Sequence, residues 1–329
     1  MRAGRFITCL ILLLALEVLV ARPAAVAQQA RKVHRIGVLA AGSDAGTPLL
    51  VDFRQGLREL AYAEGDNLLI EYRFAEGKVE RLPELAADLV RLKVELIVAV
   101  FATSARAAHQ ATRSIPIVMI AVGDPVNLGL AASLARPGGN VTGTVSYLPE
   151  LGGKPLELLK EMIPDLKRVA ILSNPSNPGH APLLKDVEPA ARSLAIRLQP
   201  LSVANAEDLE GALRTATRDA AAVWVLGDAL FIAHRARIAA LAAAARLPTL
   251  LPGRPFTEAG GLMSYGPHLP HVYHRAATYV DKILKGAKPG DLPIEQPTKF
   301  DLVINMKTAK ALGLQIPRSL LLRADHIVE

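Results

Sequence analysis

The chain has 329 residues, 51% of them hydrophobic and 21% charged, with a formal net charge of +7. This balance excludes a disordered or fibrous chain, and the length points to about two domains. The basic residues are dispersed and no five-residue window is solidly Lys or Arg, which argues against nucleic acid as a partner. The one cysteine, Cys9, excludes an intrachain disulfide, a Cys-based zinc site and a CxxC motif.

Arg2 and Arg5 precede an apolar run from Phe6 to Val20, followed by Arg22-Pro23 and the small-residue stretch Ala25-Val26-Ala27. This is the layout of a secretory signal, with cleavage expected after Ala27. The apolar run is too short for a membrane anchor and contains Glu17. Cys9 sits too early for a lipoprotein site, so no lipid anchor is expected. Removing residues 1–27 takes away three arginines, one glutamate and the cysteine, leaving a mature charge of +5. The expected location is the periplasm.

Arg35 to Ala40 reads as a buried strand. From Pro48, the residues Leu50, Phe53, Leu57 and Leu60 fall at helical spacing, and Gly65 is the expected stop. Leu68–Tyr72 reads as a strand, Leu82, Leu85 and Leu89 mark a helix, and Glu95–Val100 reads as a strand. Thr103–Arg113 reads as a helix and Pro116–Ala121 as a strand. This β-α alternation predicts a mostly parallel sheet covered on both faces.

The pattern restarts near residue 150. Pro155–Ile163 reads as a helix, and Arg168-Val169-Ala170-Ile171-Leu172 imitates the first strand. Helix, strand and helix follow through Leu194, Leu201 and Leu213. Ala222–Leu226 reads as a strand, Phe231–Arg246 as one helix and Pro248–Leu251 as a strand. Gly261–Tyr265 reads as a short strand, and Val272 to Ile283 define an amphipathic helix ending at Gly286. Leu302–Asn305 closes the pattern as another strand. Two similar α/β lobes are expected, with the tail crossing to the first lobe and returning. Lobe 1 is assigned residues 33–146 and 266–298, lobe 2 residues 147–265 and 299–329.

In open parallel sheets ligands bind beyond the carboxyl ends of the strands. The loops there are small and polar: Ser43 and Asp44 in the first, Thr103 and Ser104 after the third strand, Asp124 in Gly123-Asp124-Pro125 after the fourth. In the second half, Asn174 lies in Ser173-Asn174-Pro175-Ser176-Asn177-Pro178 and Asp228 in Gly227-Asp228-Ala229. Each also suits a helix cap, and a helix N-terminus with spare N–H groups is itself an anion site. Gly37, Gly42 and Gly46 do not have dinucleotide-loop spacing, and there is no phosphate-loop or G-x-S-x-G motif. His268, His271 and His274 lack an acidic metal-ligand partner in sequence, so no metal and no cofactor is expected.

Several phrases together resemble a known family. They are Gly56-Leu57-Arg58-Glu59-Leu60, Gly123-Asp124-Pro125-Val126, the run from Ser133 to Gly143, Leu156 to Glu161, Gly260 to Gly266, and Ala276 to Gly286. The chain from about Val33 onward is similar to the ABC-transporter substrate-binding proteins that include tryptophan- and tyrosine-type binding components. The resemblance implies a type I periplasmic-binding-protein fold: two Rossmann-like lobes with parallel sheets, joined by three crossovers. It also implies a non-enzymatic monomer that captures a small molecule and delivers it to an ABC permease in the inner membrane. A zwitterionic amino acid would place its carboxylate on Thr103, Ser104 and the N–H groups of their helix. Its ammonium would sit at Asp228 first, Asp124 second, with Asn174 contributing from lobe 2. Tyr147, Phe256 and Tyr265 lie near the expected crossovers and would line a side-chain pocket, or simply pack the hinge. Two other readings stay open: a ligand-sensing receptor of the same fold, and a secreted α/β enzyme using Asp124 or Asp228 as general base.

Overall fold

A computed structural model describes residues 32–43, 48–146 and 152–329. The signal segment, Asp44 and Tyr147 lie outside these residues. Among the described residues the first half forms β1 (His34–Ala40), α1 (Pro48–Glu59), β2 (Leu68–Phe74), α2 (Leu82–Arg91), β3 (Leu96–Val100), α3 (Phe101–Ala111), β4 (Ile117–Val122) and β5 (Val141–Val145). The strands make one parallel sheet in the order β2-β1-β3-β4-β5. Side chains alternate across it with the period of two that a strand imposes. Ile36 and Val38 of β1 pack on one face with Phe53 and Leu57, whereas Leu39 packs on the other with Leu82 and Leu89.

The second half forms α4 (Lys154–Met162), β6 (Arg168–Ser173), α5 (His180–Ser193), β7 (Arg197–Ser202), α6 (Asp208–Asp219) and β8 (Ala222–Val225). Next come α7 (Ala229–Ala233), α8 (Arg235–Ala244), β9 (Thr249–Leu251), α9 (Arg254–Glu258) and β10 (Met263–Pro267). Then follow α10 (Leu269–Leu284), β11 (Phe300–Asn305), α11 (Met306–Leu312), α12 (Arg318–Arg323) and β12 (His326–Val328). The second sheet runs β12-β11-β10-β9-β8-β6-β7. It repeats the alternation: Val169 and Ile171 face one core, Ala170 and Leu172 the other. Each lobe is thus a sheet between two helical layers. Burying a Leu, Ile or Phe side chain contributes roughly 1.5–3 kcal/mol, so four such cores carry the stability that the scarce aromatics do not.

The tail behaves as the sequence suggests. Helix α10 leaves the second sheet and packs on the first, against α1. Gly56 makes that approach close: a Cβ there would lie 2.8 Å from both the Ala277 methyl and the His274 carbonyl oxygen. Tyr62 donates to Asp281 across the same contact at 3.1 Å. The chain then runs along the edge of the first sheet, where Glu295 N–H donates to Gly143 O and Val145 N–H to Glu295 O, before re-entering the second sheet as β11. Because β11 returns from the other lobe, it pairs antiparallel with β10, the one antiparallel pair in an otherwise parallel sheet. The chain passes between the sheets three times: after β5, after β10 and before β11.

Three local expectations change. Helix α1 ends at Glu59, not Gly65: Ala61 takes the left-handed conformation, with its N–H bonding Arg58 O and that of Tyr62 bonding Leu57 O. Gly65 instead serves the turn into β2. The single helix expected over Phe231–Arg246 breaks at His234 into α7 and α8. Strand β5 and helix α9 lie in stretches without a usable hydrophobic period, Val141-Thr142-Gly143-Thr144-Val145 and Arg254-Pro255-Phe256-Thr257-Glu258.

Candidate functional site

The carboxyl ends of both sheets face one cavity of about 200 Å³. Lobe 1 contributes Phe101 and Ala102 at the start of α3, Ala121, Gly123 and Asp124 after β4, and Ser146 after β5. Lobe 2 contributes Asn177, Gly179 and His180, the Trp224–Gly227 stretch, and Pro252, Pro255 and Phe256. The elements that flank the crossovers add Tyr265 and Pro267 of β10, Leu269 of α10 and Phe300 of β11. The wall is mainly apolar and rich in rings; Tyr265 and Phe300 stack with centroids 5.6 Å apart.

The backbone is strained at the lobe 1 wall. Phe101 and Ala121 both have positive φ, +63° and +55°, at the ends of neighbouring strands β3 and β4. Such conformations cost about 1–3 kcal/mol each in a non-glycine residue and persist only where surrounding structure enforces them. At Ala121 the enforcement is visible. The β4–β5 register slips between Met119 and Val122. Ser146 Oγ donates to Ala121 O at 3.0 Å, and Ala121 N–H donates to Thr144 Oγ1. The slip requires Gly143, with φ +132°, where a Cβ would lie 2.2 Å from Met119 O.

Helix α3 opens onto the cavity without a side-chain cap, since its N-cap is Val100. Its first-turn N–H groups present the positive end of the helix there. Thr103 is half-buried in that turn and Ser104 fully buried, its hydroxyl without a partner among the described residues. Neither Thr103 nor Ser104 lines the cavity, which α3 meets through Phe101 and Ala102.

Asp124 is on the wall. Its Oδ1 accepts from the Val126 and Asn127 N–H groups at 3.0 Å each, and its Oδ2 from Asn127 Nδ2 at 2.6 Å. Among the described residues it is the cavity's one carboxylate. Asp228 is placed differently from the sequence expectation. It is 3% exposed, caps α7 through Leu230 N–H at 2.9 Å, and accepts from Asn174 Nδ2 at 3.1 Å and Asn177 Nδ2 at 2.7 Å. It lies behind the wall, and so does Asn174. Phe256 and Tyr265 are on the wall, while Ser43 is exposed and off it.

The sequence reading missed His180, Asn177, Trp224, Phe101 and Phe300. Asn177 was within reach, in the same loop as Asn174. His180 Nδ1 accepts from Asn174 N–H at 2.9 Å, and its Nε2–H donates to Gly227 O at 3.2 Å. Both bonds suit the neutral ring, and burial holds its pKa below the usual histidine value against the opposing pull of Asp228. The three tail histidines do not converge on one point. His268 pairs with Asp301 and His274 with Glu59, and no group of three metal-ligating side chains occurs among the described residues.

Known proteins share this architecture. The family model described as ABC transporter substrate binding protein matches residues 37–328. A tyrosine-binding protein of Clostridioides difficile (strain R20291) is 28% identical over 263 residues, covering 80% of this chain and 76% of its own. A crystal structure of an ABC domain in complex with L-Trp, from Streptococcus pneumonia, superposes with a TM-score of 0.85 at 26% identity, over 90% of this chain and 100% of that one. A conserved domain protein from Vibrio cholerae superposes with a TM-score of 0.84 at 29% identity, over 90% of this chain and 100% of that one.

Proposed function

The chain belongs to the ABC transporter substrate-binding protein family, and we propose that it captures one aromatic amino acid between its lobes for import through an inner-membrane ABC permease. Type I periplasmic-binding-protein architecture and substrate binding without enzymatic turnover come with the family. The ligand rests on one observation: a ring-lined cavity whose only charged wall group, among the described residues, is Asp124, and which the uncapped start of α3 also borders. An ammonium fits Asp124 and a carboxylate fits the α3 N–H groups, with Thr103 and Ser104 shaping that turn. The ring of the ligand fits among Phe101, Trp224, Phe256 and Phe300. The tyrosine- and L-Trp-binding relatives support this reading.

Closure follows from the same arrangement. Lobe 1 holds both polar ends of the ligand and lobe 2 supplies most of the apolar wall, so only the closed form satisfies ligand and cavity together. Export is part of the proposal and rests on the N-terminal layout of the sequence. The mature protein is expected in the periplasmic fraction with Gln28 first; a membrane-bound protein retaining Met1 would contradict it. Native mass spectrometry of freshly purified protein tests the ligand, with a bound mass of tyrosine or tryptophan expected. A bound sugar or dicarboxylate would overturn it.

A further inference from the structure

We propose that Asp228 is the positioning residue of the lobe 2 wall, acting on the ligand through Asn177 and His180 without touching it. The inference rests on the proposed ligand site. The loop after β6 and the loop after β8 are joined by a closed set of hydrogen bonds. Asp228 accepts both asparagine amides, from Asn174 and Asn177, and this fixes which way each amide points. With Nδ2 committed to Asp228, Asn177 Oδ1 accepts Gly179 N–H at 3.0 Å and Asn174 Oδ1 accepts Ser176 N–H at 2.9 Å. Asn174 N–H in turn holds His180 Nδ1, and His180 Nε2–H closes the set on Gly227 O, the residue before Asp228.

Four members of this set, Asn177, Gly179, His180 and Gly227, stand on the cavity wall, while the carboxylate that orients the asparagine amides does not. The arrangement therefore presents His180 as an uncharged ring with both nitrogens occupied, which leaves only its apolar surface for the ligand. Asp228→Asn puts an amide against two amide donors and one backbone N–H. At least one donor must then turn away, and the turn propagates to Asn177 and His180.

The test is affinity for L-tryptophan and for indole-3-propionate, which keeps the ring and carboxylate but lacks the ammonium. Long-range proton–nitrogen NMR of the His180 ring in ligand-free protein accompanies it. Asp228→Asn is expected to weaken both ligands by a similar factor, roughly ten- to a hundredfold, and to shift the His180 ring signals. Asn177→Ala, which leaves the α7 cap in place, is expected to reproduce the affinity loss. A loss with L-tryptophan that vanishes with indole-3-propionate would overturn the inference by making Asp228 the counter-ion of the ammonium. Unchanged affinities and unchanged His180 signals would overturn it by reducing Asp228 to a helix cap. If wild-type protein binds neither ligand, the functional reading falls, and the His180 signals alone decide the positioning role.

Discussion

At the scale of single residues the two candidate aspartates separate by environment. Asp124 meets the cavity; Asp228 is enclosed by three donors. Asp124→Asn keeps shape and removes charge. It is expected to weaken aromatic amino acids by about 1.5–3 kcal/mol, roughly ten- to a hundredfold, measured by calorimetric titration. Ligands without an ammonium should be little affected. His180 supplies a pH dependence of known sign. Its pKa in the folded protein is lowered, chiefly by burial, so the unfolded chain takes up a proton that the native state resists. Stability from this group is complete above about pH 6.5 and declines as pH falls below it, by at most about 1.4 kcal/mol per pH unit. Melting of wild type and His180→Gln between pH 5 and 8 should show the variant losing less stability on acidification; parallel curves would show that His180 is not the titrating group.

At the scale of elements, β5 and the third crossover depend on Gly143. Its φ of +132° and its contact with Met119 leave no room for a side chain. Gly143→Ala should destabilise by about 2–5 kcal/mol, seen as a lower urea midpoint with an unchanged slope. The same stretch shows where sequence reading stops. Strands β1, β3, β4 and β6 are continuous apolar runs, and helices α1, α2 and α10 carry a clean 3.6-residue period, so they are legible. Val141–Val145 mixes Thr and Gly into a strand because it accepts a slipped partner and the returning chain, and no local period encodes that. The helix break at His234 is equally silent, since no Gly or Pro marks it between Ala229 and Arg246. At the site, Asp124 is legible from its place just past the end of a strand, and Phe256 and Tyr265 from their nearness to a crossover. His180 and Trp224 are not: one opens a helix and the other sits inside β8, where both read as ordinary core. The role of Asp228 needs the distance to Asn177, a contact between loops 51 residues apart.

At the scale of the molecule, a cavity shared by two lobes couples binding to closure. A ligand that bridges Asp124, the α3 N-terminus and the lobe 2 rings shifts the open–closed equilibrium by its differential affinity for the two forms. Bound at a hundredfold excess over Kd, it should add about 2.7 kcal/mol to stability and raise Tm accordingly. The proposed closure would pivot on the crossovers beside the cavity. One end of the third is anchored by the Arg275–Glu295 pair, with contacts of 2.7–3.2 Å, and Lys299 and Asp301 meet His268 of the second at its other end. The capture of an aromatic amino acid is tested most directly by calorimetric titration of protein unfolded and refolded to strip any retained ligand. The expected result is saturable one-to-one binding of L-tryptophan or L-tyrosine with a negative heat-capacity change, the mark of rings leaving water for an apolar cavity. No heat from either amino acid, in a refolded sample that binds a sugar or a dicarboxylate one-to-one, would contradict it.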